Sequence, residues 1–319
     1  MSAVNRPLVH DPRRGRRRGA LDPASHLPRK QSRRRVHREA VTGWLLMLPA
    51  LAIIVIFKIL PLASGIRTSL ELNGQYAGLH NYALQLHDPI WHASLLNLVK
   101  GIILLPVYIL APLVIAVLLF RKVRGWRIFR ALYLCSYLIP AAMTGLMFSL
   151  ILGENGPAAV LLKSIGISGS VAVLPANTST SMWAVYAVVF WAWMGLGALT
   201  YLAGLALVPA EQYEAARLDG AGFWTELRRI TIPEIRPTMG YWSVVMTAGL
   251  FLWLFPFIVT LTNGGPGYSS MTPEVYAYNV FSQGQQPEYA SSLGVTLFIL
   301  VVVASVFQVR VMYSKANAA

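Results

Sequence analysis

Charge is scarce in this chain. Only 13% of its 319 residues are Asp, Glu, Lys or Arg, against roughly a quarter in a soluble domain. Mean hydropathy is +0.54, and the apolar residues come in long runs rather than helical stripes. Cysteine is nearly absent too. The single Cys135 excludes an internal disulfide framework and any multi-cysteine metal site; lying in an apolar run, it reads as a small buried hydrophobe. None of the six histidines has H-E-x-x-H spacing, and His87 and His92 around Asp88 read as an ordinary polar loop. No metal or cofactor is expected. Carboxylates are missing from the apolar runs, with Glu71 and Glu154 falling in outer loops, which disfavours an ion-coupled carrier built on a buried proton or sodium relay.

What remains is long hydrophobic runs. A helix needs about 20 residues to cross the hydrocarbon, and six stretches meet that criterion: 41–62, 94–120, 131–152, 182–205, 239–261 and 290–312. An all-α, multi-pass membrane protein is expected. Pro106 and Pro112 fall inside the second run and are expected to kink it. Arg and Lys are unevenly placed. They crowd the stretch before residue 41, the loop from Arg121 to Arg130, and the segment around Arg310 and Lys315, whereas the loop from Asn263 to Tyr289 has none. The positive-inside rule then puts both termini in the cytoplasm. Residues 1–40, with RRGRRRG and RKQSRRRVHRE, read as a disordered cytoplasmic tail; no folded reader domain accompanies it to suggest nucleic acid, and the next run is too long for a cleaved signal.

One loop departs from the pattern. Between Leu207 and Pro237 stand four arginines and five acids, net −1, so the loop is not there to set topology. Pro209 suits the first position of a helix, with Glu211 early and Arg217 late, where the dipole favours each. Asp219-Gly220-Ala221-Gly222 is a stop signal. A second helix is expected from Phe223, with Phe223, Leu227 and Ile230 on one face and Pro233 and Pro237 ending it. Two readings of this helix–corner–helix unit stay open. It is a protruding docking knob, smooth at Ala215 and Ala216 with Glu214 and Asp219 as acceptors for a partner's Arg or Lys, or an amphipathic pair lying on its own bundle.

The string Glu214-Ala215-Ala216, three residues, Gly220, nine residues, then Ile230-Thr231-Ile232-Pro233 resembles the EAA loop of permease subunits of binding-protein-dependent ABC importers. The longer VPAEQYEAARLDGA looks like the carbohydrate branch, of maltose, glycerol-phosphate and oligosaccharide type. YAGLHNY, RGWRIFRALYLCSYLIP and LTNGGPGYSS are similar to further family stretches, the first and last resembling the first of the two permeases. Lys58, the Asn97-Leu98 pair and the length of the basic tail depart from the family pattern.

The resemblance implies a type I importer bundle of six transmembrane helices, with 1–40 a tail, 41–319 the permease domain and 207–237 the coupling loop. It implies import of a sugar or sugar-like solute across a bacterial cytoplasmic membrane, with a second homologous permease, two cytoplasmic ATPase subunits and an extracytoplasmic solute-binding protein as partners. Glu214, Ala215, Ala216, Asp219, Gly220, Ile232 and Pro233 are the expected ATPase-coupling residues. The chain is not expected to be an enzyme: it has no G-x-x-x-x-G-K-[ST], and the one lysine followed by Ser or Thr, Lys163, follows Leu162. Tyr186, Trp191, Trp193, Tyr201, Trp242 and Trp253 are candidates for a substrate path, as aromatics that stack on sugar faces. The competing class is a membrane scaffold whose loop docks a soluble partner.

Overall fold

A computed structural model describes residues 33–166 and 174–316. The chain divides into two units, Met1–Leu60 and Pro61–Ala319. In the first, helix α1 (Arg33–Ile54) runs through Pro49 into a π-turn over Val55–Ile59. Residues 33–40, expected as the end of the tail, are therefore helical, while the tail up to residue 32 lies outside the described residues.

Helix α2 (Leu60–Ser69) leads into the second unit. A two-residue hairpin follows, β1 (Glu71–Leu72) against β2 (Gln75–Tyr76), turned by Asn73 and Gly74 at positive φ, as an Asn-Gly pair permits. The Asn81 amide on α3 (His80–Gln85) donates to the carbonyls of Ser69 and Glu71 and holds the hairpin down. Helix α4 (Pro89–Phe120) starts before the expected run at 94 and takes in His92, so the stretch read as a polar loop is a helix start. Asp88 caps the amides of Ile90 and Trp91, and proline takes the first position. It stays a single helix through Pro106 and Pro112.

The third expected span is split. Helix α5 (Trp126–Leu138) ends at Ile139, which is extended at φ −77°, ψ 126°, and α6 (Ala141–Leu152) begins after Pro140. A proline's ring disfavours helical geometry in the residue before it and so breaks the helix there. After α7 (Pro157–Ser164) comes α8 (Ser181–Leu205). The charged loop folds as α9 (Ala210–Leu218), α10 (Phe223–Glu226) and α11 (Ile232–Glu234). The fifth span consists of α12 (Arg236–Leu252) and α13 (Phe255–Leu261), bent by 47° at Trp253–Leu254. Helices α14 (Pro273–Ser282) and α15 (Pro287–Ala316) complete the chain. Among the described residues five helical stretches are long and apolar enough to cross a membrane, six if the bent pair counts as one.

The core lies where α4, α8 and α12 meet, with α6 against α13 and α15 against α12 and α14. Three of the polar groups buried there are paired through side chain to backbone bonds, as burial in an apolar medium favours, whereas the buried Tyr201 hydroxyl has no hydrogen-bond partner. Tyr108 donates to the Tyr186 carbonyl at 2.6 Å, Tyr186 to the Asn97 carbonyl at 2.8 Å, and the Trp242 indole to the Tyr108 carbonyl at 3.0 Å. Close approach is supplied by small residues, as between membrane helices generally: a Cβ at Gly195 would stand 1.9 Å from the Tyr133 carbonyl oxygen of α5. Cys135 is exposed rather than buried, because α5 turns that side outward.

Candidate functional site

The charged loop builds a corner with an exact hydrogen-bond logic. Helix α9 ends in a Schellman motif: the Gly220 amide donates to the Arg217 carbonyl at 3.0 Å, the Ala221 amide to the Ala216 carbonyl at 2.8 Å, and Gly220 sits at φ +78°. A left-handed residue at that position suits glycine, and nothing lies within 4 Å of where its Cβ would be. The corner therefore points into open space. Glu214, Ala215, Leu218, Asp219 and Gly220 are all exposed, Leu218 at 90%.

The second half starts at Gly222 but does not end at Pro233. Helical geometry carries on through a π-turn over Leu227–Thr231 into α11, with Pro233 inside the continuation. Proline has no amide hydrogen to return, and the wider turn just before it absorbs that loss. Ile232 and Pro233 are half-buried, so they brace the corner rather than share its tip. Of the expected face, Leu227 and Ile230 pack on the core, while Phe223 stays at the surface with Arg121 over its ring at 4.4 Å. Three side-chain links join the two halves: Gln212 to Glu234 at 3.1 Å, Tyr213 to Thr231 at 3.2 Å, and Arg217 to Glu226 at 3.0 Å.

Glu226 is the residue the sequence reading missed. It is 3% exposed, and its second carboxylate oxygen accepts from the Arg121 guanidinium at the end of α4. A cavity of about 210 Å³ opens beside it, with Phe120, Arg121, Tyr213 and Glu214 among its lining residues. The loop's inner face packs on its own bundle, and its tip is exposed.

The six aromatic candidates are not brought to one surface. Tyr186, Tyr201 and Trp242 are 1%, 0% and 1% exposed in the core. Trp191 and Trp193 are half-buried and Trp253 is exposed, with Trp193 and Trp253 edge to face at 6.3 Å beside the bend of the fifth span. Packed near that bend is Glu274 of α14, whose Oε1 has no hydrogen-bond partner. Burial pushes its carboxyl up to about 8, against the pull of the Phe255 and Leu254 amides. On α4's cap, Asp88 also accepts from the Tyr276 and Tyr289 hydroxyls. Burial raises its pKa, but those hydroxyls and the capping amides prevail and hold it below its ordinary value.

Comparison with known proteins adds three findings. Residues 88–316 match the family model of the binding-protein-dependent transport system inner membrane component. A probable ABC transporter permease protein of Pyrococcus horikoshii is 30% identical, the alignment covering 86% of this chain and 99% of the relative; a lactose transport system permease protein of Rhizobium radiobacter is 27% identical over 84% and 93%. Among solved structures, a bacterial alginate ABC transporter in complex with alginate pentasaccharide-bound periplasmic protein superposes with a TM-score of 0.76 at 18% identity, covering 86% of this chain and 94% of that one.

Proposed function

The chain belongs to the family of binding-protein-dependent transport system inner membrane components, and from that premise we propose that it is the permease subunit of an ABC importer for a sugar or a sugar-like oligosaccharide. The solute class rests on relatives such as the lactose permease and on the alginate transporter. ATP hydrolysis belongs to separate ATPase subunits, and a solute-binding protein delivers the cargo. A second, homologous permease completes the pathway across a pseudo-twofold axis. Both termini and the charged corner face the cytoplasm of a bacterium, on the Arg and Lys asymmetry.

One observation carries the coupling role. The exposed turn at Gly220, with Glu214, Ala215 and Asp219 around it, stands clear of the core while its base is braced on the bundle. Such a unit suits transmission of force: the tip is free to be gripped by an ATPase while the base is tied to the bundle. Trp193 and Trp253, edge to face beside the bend of the fifth span, are the aromatics we take as candidates to meet a sugar face, with Trp191, edge to face with Phe148, a third.

The test joins specificity to coupling. A panel of mono- and oligosaccharides is screened for thermal shifts of the cognate binding protein, and uptake of the best ligand is measured in cells carrying wild-type permease or Glu214→Lys. Reversing a charge at an interface disfavours the contact strongly, so uptake should fall at least roughly tenfold with unchanged membrane levels. A non-sugar ligand would overturn the solute class, and undiminished uptake would overturn the coupling role.

A further inference from the structure

The geometry points to Glu226 as a positioning residue for coupling: its buried carboxylate ties the protruding corner to the end of α4, so that displacement of the corner moves the second span. This rests on the proposed reading of the corner as the ATPase contact.

Glu226 differs from every other acid in the loop. Glu211, Glu214, Asp219 and Glu234 are exposed, whereas Glu226 is 3% exposed. Its Oε1 takes the Arg217 Nε–H from α9 at 3.0 Å and its Oε2 takes an N–H of Arg121, the residue that ends α4. One carboxylate thus joins α4, α9 and α10, and Arg121 also lies over the Phe223 ring of α10. The cavity of about 210 Å³ beside this junction means that close packing does not fill the space between α4 and the corner. Where packing is thin, directional charge-assisted bonds carry the link. A wholly exposed ion pair would contribute little, but here the acceptor is buried and both arginines reach in from the surface. From Arg121 the connection runs into α4, which is pinned to α8 and α12 by the Tyr108, Tyr186 and Trp242 bonds. A pull on the corner therefore reaches the core of the bundle.

The test uses the complete transporter in sealed vesicles, reading solute imported per ATP hydrolysed. Glu226→Gln keeps the shape and removes the charge; the complex should still copurify with its ATPase while import per ATP falls roughly fivefold or more. Arg121→Gln should fall alike, and the double variant no further, because both single changes cut the same link. Glu226→Asp, which keeps a carboxylate, should recover part of the ratio. A wild-type ratio for Glu226→Gln alongside an impaired Glu214→Lys overturns this inference and leaves the coupling loop standing. Wild-type behaviour of both variants overturns the loop's role as well. Should Glu226→Gln fail to accumulate, Arg121→Gln reads the same ratio with the carboxylate left in place, because it removes the charged donor from the link; an unchanged ratio there contradicts the proposal.

Discussion

At Gly220 a single backbone torsion sets the shape of the corner. With φ at +78° and open space around the missing Cβ, a substitution there is strained by its backbone alone and not by a clash. Gly220→Val should therefore disturb the Schellman turn by about 1–3 kcal/mol, abolish most ATP-driven uptake and leave membrane levels near normal, whereas Gly220→Asn, which tolerates the left-handed region, should retain transport. Uptake and immunoblots of membranes check both; equal uptake by Gly220→Val and wild type would contradict the role of the turn. Glu274 offers a second test at this scale. Its folded pKa of about 8 lies above the ordinary 4.5, so the folded state holds the proton more tightly. The stabilisation is fully present below pH 4.5 and is lost as pH rises to about 8. Thermal melts of the purified transporter from pH 5 to 8.5 should fall more steeply for wild type than for Glu274→Gln; parallel slopes would show that burial does not shift this carboxyl.

Helices α5 and α8 meet backbone to backbone at Gly195, where even a methyl group would press on the Tyr133 carbonyl. Gly195→Leu should force the pair apart, costing about 1–3 kcal/mol and lowering the melting temperature in detergent; an unchanged melt would mean that α5 yields freely. Which elements were legible follows from how local their causes are. The apolar runs mark the spans and Asp219-Gly220 the corner, because a left-handed turn depends on a few adjacent residues; Asp88-Pro89, which reads as part of a polar loop, is instead the start of α4. The split at Ile139, the bend at Trp253–Leu254 and the helix continuing through Pro233 were not read. Pro140 lies inside the run 131–152 expected as one span, and the π-turn that lets Pro233 stay helical has no simple sequence signal. Glu226 was hidden for a different reason: its partner Arg121 is 105 residues away, and a glutamate among balanced charges looks solvated. Tyr186, Tyr201 and Trp242 were read as path-lining because an aromatic in an apolar run carries no mark of which way its helix faces.

For the whole molecule, sidedness is the property that links the charge distribution to direction of transport. In a Cys135→Ala background, cysteines at Thr225 and Gln286, both exposed, should label from opposite sides of the membrane, Gln286→Cys from outside and Thr225→Cys only after permeabilisation. Labelling of both from outside would contradict the cytoplasmic corner. The exposed apolar faces of the helices, Leu138 at 73% and Leu150 at 70% among them, suit a chain covered by lipid and a second subunit. On the proposed function, this chain imports solute only as one half of a pair driven by a separate ATPase. Vesicles should therefore be prepared with this permease, the second permease, the ATPase and the binding protein, each omitted in turn, and uptake of labelled oligosaccharide followed with ATP on the ATPase side. Uptake is expected only with all four components and ATP. Uptake by this chain alone, or driven by an ion gradient without ATP, would contradict it.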